Sequence, residues 1–132
     1  MNTNRSYRNR YSAILQRLVD SSEPVTIALL AQRDGRAIET ASASGSTVLP
    51  TKLAAMTSAT AALSQTLLRE VAQDRMAMTL IEGKAGIFLA MPVVLRAATL
   101  LLGVHAGDGV SLGRLVNYTR RTVIDLQSIT VS

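Results

Sequence analysis

Three runs of this chain leave no side of a strand free for water. Residues 25–32 (VTIALLAQ), 87–93 and 98–104 are apolar at both odd and even positions. Successive strand residues point to opposite faces of a sheet, so strands like these must be covered on both sides. Two further runs extend the sheet. Residues 36–41 follow Arg33-Asp34-Gly35, where Asp-Gly predicts a hairpin because both residues tolerate positive φ. Arg36, Glu39 and Thr40 make this return strand polar, as suits an edge. Residues 75–82 (RMAMTLIE) form a third strand in chain order and are apolar on both faces.

Helical periodicity supplies the cover. In residues 6–21, Tyr7, Tyr11, Ile14, Leu15, Leu18 and Val19 recur at i, i+4, i+7 and i+8, with Arg8, Arg10 and Arg17 opposite. A last helix runs from a Ser111 cap to about Leu126, with Leu112, Leu115, Val116, Thr119, Val123 and Leu126 inward. Between them, Pro50 opens a long helix over residues 51–74 that carries two stripes. Leu53, Met56, Leu63, Leu67 and Val71 form a large stripe, expected to cover the core. Ala55, Ala59, Ala62 and Thr66 form a small one, which lets a second backbone come close. The expected fold is a three-layer α/β/α sandwich. A five-stranded antiparallel sheet carries the long helix on one face and the two terminal helices on the other. The 132 residues make a single domain, 1–132, with its core over about 7–126.

Chemistry is sparse. There is no Cys, and His105, in a 105–109 glycine loop (HAGDG), is the one His. A thiolate or multi-histidine metal site is therefore absent from the sequence, and a lone His beside a glycine loop reads as a structural or surface residue rather than a catalytic base. Glu70 and Asp74 share a helix face but sit beside Arg69 and Arg75 and read as solvated. No Walker or dinucleotide motif occurs, and the glycines at 83–86 and 107–109 read as turns. No cofactor or metal is expected, and the chain reads as a binding protein rather than an enzyme. The +5 net charge gathers in Arg5, Arg8, Arg10 and Arg17, ahead of the first acid, and in Arg114, Arg120 and Arg121. Aromatics at 3% are too few for a base-stacking platform, which argues against nucleic acid; the basic helices read as a solvated face, with acidic lipid or protein as the other partners such charge could attract. Pro92 and Arg96 break the most apolar stretch, residues 86–106, so no transmembrane span is expected. The polar start MNTNRSYRNRYS lacks a signal core, and the expected location is the cytoplasm.

The element order, the Gln-Arg-Asp-Gly-Arg hairpin, the Ala-rich helix leading into RMAMTLIEG, and the tail GIFLAMP…TLLLGVHAGDGVSLGRLVNYTRR resemble the Roadblock / dynein light-chain family, a profilin-like fold, in its bacterial MglB type. The resemblance covers residues 7–126. It implies a dimer in which the strand after the long helix pairs with its copy and the long helices lie side by side. It also implies a small Ras-like GTPase as partner, whose nucleotide state the protein regulates in polarity, motility or type IV pilus control. On this reading Ala55, Ala59, Ala62 and Thr66, with Met76, Met78 and Leu80 of the third strand, form the dimer interface. An apolar strand of that kind is a hazard as a free edge, and pairing removes it. Lys52, Ser58, Gln65, Arg69 and Gln73 are then left as the partner-binding face, with Arg69 placed to act as an arginine finger. The alternatives are a scaffold subunit of a larger signalling or motor assembly, without effect on GTP hydrolysis, and a small-ligand sensor.

Overall fold

The computed structural model describes residues 3–129, with side chains from Asn9 onward. Tyr7 and the arginines at 5 and 8 therefore lie outside the described side chains. The elements are α1 (Thr3–Val19), β1 (Val25–Ala31), β2 (Ala37–Ser42), α2 (Pro50–Ala72), β3 (Thr79–Gly83), β4 (Gly86–Val94), β5 (Thr99–Ala106) and α3 (Leu112–Gln127). The strands form one antiparallel sheet in the order β2-β1-β5-β4-β3. β1, β5 and β4 are the two-sided apolar runs, and they occupy its middle.

The three layers are those the strand pattern requires. On one face, Leu15 and Leu18 of α1 and Leu115 and Leu126 of α3 pack with Leu30, Leu89, Leu102 and Val104. On the other, Ala54 of α2 packs with Ile27, Leu29 and Ala31, and Ala61 packs with Met76 and Leu101.

Local geometry departs from expectation at four points. In the β1–β2 turn only Gly35 has positive φ, at 94°. Gln32 O accepts from Gly35 N at 2.9 Å, and the register shifts beyond Leu30, so the turn is a three-residue loop closed by a bulge rather than a two-residue one. Asp34 instead uses its carboxylate, which accepts from Arg36 N at 3.1 Å and Arg36 Nε at 2.9 Å. These bonds, the backbone one first, hold Asp34 below the usual carboxylate range. Second, His105 is not in a loop. It lies in β5, and its Nδ1 is 2.7 Å from Thr26 Oγ1, a contact that ties β5 to β1. Third, β3 begins only at Thr79, because Met76 turns under α2 instead of extending a strand. Fourth, Leu112 is 41% exposed, since it sits at the first turn of α3 beyond the sheet.

The α3 cap is also supplied from elsewhere. Ser111 occupies the N-cap position but its hydroxyl makes no cap bond. The Glu23 carboxylate, only 6% exposed, accepts from Ser111 N at 2.5 Å, and Arg114 lies 3.9 Å away. A buried anion at a helix N-terminus meets both the free N–H groups and the positive end of the dipole. Glu23→Ala is expected to lower stability by about 1–2 kcal/mol. The shift of the urea midpoint at unchanged slope measures it, and Glu23→Gln should recover part of the loss.

Candidate partner-binding surface

The inward side of α2 is small, not large. Ala54, Thr57 and Ala61 are 0%, 0% and 5% exposed. Beneath Thr57 lies Gly103 of β5, where an added Cβ would stand 2.6 Å from Thr57 Oγ1. Gly103 is flanked in register by Leu29 and by Ala90. The sheet thus offers α2 a shallow seat, and only short side chains let the helix settle on it.

The large stripe is therefore not core, contrary to the sequence reading. Met56, Leu63, Leu67 and Val71 are 59%, 71%, 60% and 70% exposed. Of that stripe only Leu53 is half-buried against the β1 cluster. Residues advance by about 100° along a helix. With Ala54, Thr57 and Ala61 pointing down, the large and small stripes fall on opposite upper flanks of α2.

Contacts fix which flank is which. Ser64, on the large-stripe side, is bonded by Thr79 Oγ1 of β3 at 2.8 Å. Ala55 of the small stripe abuts Gly35, whose added Cβ would lie 3.4 Å from Ala55 Cα, and Ser58 Oγ donates to Arg33 O. The large stripe thus overlooks β3, and the alanines start beside the β1–β2 turn.

β3 is an edge strand, and among the described residues it pairs only with β4. Ile81 shares the face of Thr79 and is 51% exposed. Met56, Leu63, Leu67, Val71 and Ile81 accordingly make one apolar surface bordered by an open strand edge. Patches of this sort are sites of association.

The other nominated residues divide. Ala55, Ala59, Ala62 and Thr66 are exposed, and Thr66 Oγ1 donates to Ala62 O at 2.9 Å. Met76 is 8% exposed, and Met78 and Leu80 pack partly against the α1/α3 core, so these side chains act within the fold while the β3 backbone edge stays open. Lys52, Arg69 and Gln73 are exposed, and no ion pair engages Arg69 among the described residues. Gln73 ends α2 at φ 50°. Ser58 and Gln65 are half-buried and used internally; Gln65 accepts from Met76 N and donates to Asp74 O, both at 2.9 Å. Sequence reasoning missed Ile81 and the outward large stripe. Periodicity within α2 carries no signal for their direction, which is set by the Gly103–Ala90 pair of the sheet below it.

Among the described residues, no group of three metal-ligating side chains gathers, and no helix is long and apolar enough to cross a membrane.

A sequence profile of the Roadblock/LC7 domain matches residues 11–103. No curated protein matches at a significant level. Among solved structures, the gliding protein MglB of Thermus thermophilus superposes with a TM-score of 0.81 at 18% identity, over 92% of this chain and 89% of that one. Myxococcus xanthus MglB gives 0.77 at 18% identity over 90% and 86%. A Roadblock/LC7 domain from Streptomyces avermitilis gives 0.75 at 16% identity over 87% and 92%.

Proposed function

The chain belongs to the Roadblock/LC7 domain family, and on that footing we propose that it is a homodimeric, non-enzymatic regulator that binds a small Ras-like GTPase and modulates its nucleotide state. The observation that carries the reading is the apolar surface along α2 beside the open edge of β3. Two copies related by a two-fold axis would pair their β3 edges antiparallel and bring their large stripes together. Such an arrangement is closed and isologous, and it removes both the exposed apolar side chains and the free edge. The seam then runs through Met56, Leu63, Leu67, Val71 and Ile81 rather than through the alanine stripe. The upper surface of the paired helices, with Lys52, Arg69 and Gln73 of both copies, is left for the GTPase. The Thermus neighbour is described as a gliding protein, which directs the search for a pathway toward motility.

The test is nucleotide turnover by Ras-like GTPases from the same cell, with and without this chain. Capture in GTP- and GDP-loaded states is run alongside. A change in turnover supports regulation. Binding that leaves turnover unchanged points to a scaffold, and failure to bind in either state removes the GTPase reading.

A further inference from the structure

The inward row of α2 loses its cover along its length. Ala54, Thr57 and Ala61 are buried, Ser64 and Leu68 are half-buried, and Val71 and Ala72 are exposed. The path of the helix explains the fade. Ala54 packs on β1, Thr57 stands over Gly103 of β5, and Ser64 meets Thr79 of β3. From Ala54 to Ser64 the helix advances about 15 Å, and β1 lies three interstrand steps from β3, or about 14 Å. α2 therefore runs across the strands, and its last two turns project past the β3 edge. Val71 and Ala72 have no sheet of their own beneath them.

A second fade runs across the sheet. The row in register beside the seat of α2 is Ile27, His105, Phe88 and Ile81. Ile27 is buried beside Leu53, His105 and Phe88 are half-buried, and Ile81 is exposed. These side chains share the face that α2 covers. They lie away from the β1–β2 turn, hence on the large-stripe flank. The sheet corner at β4 and β3 is thus part-open where the overhang of α2 is bare.

We propose that each copy closes this corner for the other, with the last two turns of α2 lying over Ile81 and Phe88 of a second copy and Leu67 and Val71 facing them. The inference rests on the homodimer reading and adds a helix-on-sheet contact to it. A two-fold axis at the β3 edge turns each overhang back across the neighbouring sheet, antiparallel to the helix already seated there. Packed helices stand about 8–10 Å apart, and one row to the next is about 7 Å along a strand. The incoming helix therefore falls on the row of Phe88 and Ile81. The eight residues after Ser64 advance about 12 Å, which crosses β3 of the second copy and reaches β4 but stops short of β5.

The chain has no Cys, so introduced thiols report without background. Val71→Cys with Phe88→Cys, treated with a short bismaleimide, is expected to give linked pairs of chains at twice 14.1 kDa. Each single variant should stay unlinked. If position 88 proves too costly to the fold by circular dichroism, Val71→Cys with Ile81→Cys carries the same test. Sedimentation supplies the second readout. Phe88→Ala should raise the dimer dissociation constant at least about tenfold, since the axis counts the lost contact twice. Val94→Ala, an exposed apolar site at the far end of the same strand, should change it by less than about twofold. A dimer indifferent to Phe88→Ala, or thiols that fail to link two chains, overturns the inference and leaves the dimer reading standing. A wild-type chain that stays single at micromolar concentration removes both.

Discussion

Gly103→Ala is expected to destabilise the chain by about 2–3 kcal/mol, a large effect for one methyl group. Gly103 sits in β5, between β1 and β4. Its new Cβ would lie 2.6 Å from Thr57 Oγ1 and 3.1 Å from Thr57 Cγ2. Thr57 is fully buried, and its branched Cβ restricts χ1. The helix must therefore lift, which also loosens Ala54 and Ala61 on their seats. Truncating the neighbour should reverse most of this. Thr57→Ala removes both close atoms and leaves only the ordinary 3.4 Å contact with Cβ. Its own cost should be modest, since the deleted hydroxyl has no partner. The double variant is thus expected to recover most of the loss, with a coupling of about 1–2 kcal/mol in denaturant midpoints. Simple additivity would show that Gly103 and Thr57 do not set the height of α2 above the sheet.

That contact also explains what could be read from the sequence and what could not. The layers were legible because β1, β4 and β5 carry apolar residues on both faces, and that pattern has one physical answer. The hairpin was legible from Asp34-Gly35, although its turn type was not, since Asp34 is held by its own carboxylate bonds to Arg36. The two stripes of α2 were legible as well, but their direction was not. Periodicity gives the angle between stripes; which one faces inward depends on the partner surface. Here that surface is Gly103 and Ala90, far along the chain, and it admits only Ala54, Thr57 and Ala61. The close approach to a backbone is made by Ala54, Thr57 and Ala61 on the chain's own β5, while Ala55, Ala59, Ala62 and Thr66, the stripe expected to make one, are exposed. Glu23 was invisible for a similar reason. Nothing local to residue 23 shows that it caps a helix 88 residues away.

Charging the outward stripe should separate that surface from the fold. Leu63→Asp with Leu67→Asp is expected to convert a dimer into single chains of 14.1 kDa in light scattering. Each leucine buried at a seam contributes about 1.5–3 kcal/mol, and the two-fold axis counts each twice while setting new carboxylates against their copies. The dissociation constant should rise by a factor on the order of a hundred or more. The single chain should still fold, because these side chains are 71% and 60% exposed and contribute little to its own core. Circular dichroism checks that point. Ala59→Asp with Ala62→Asp adds the same charge on the other flank of α2 and should leave the dimer intact. The reverse pattern would return the seam to the alanine stripe. A wild-type chain that is already monomeric at micromolar concentration would remove the dimer altogether and leave the apolar surface to a different protein. GTPase turnover measured on the same variants then separates the two roles of α2. If docking uses Lys52, Arg69 and Gln73 from both copies, loss of the dimer should abolish regulation even though every docking side chain is still present.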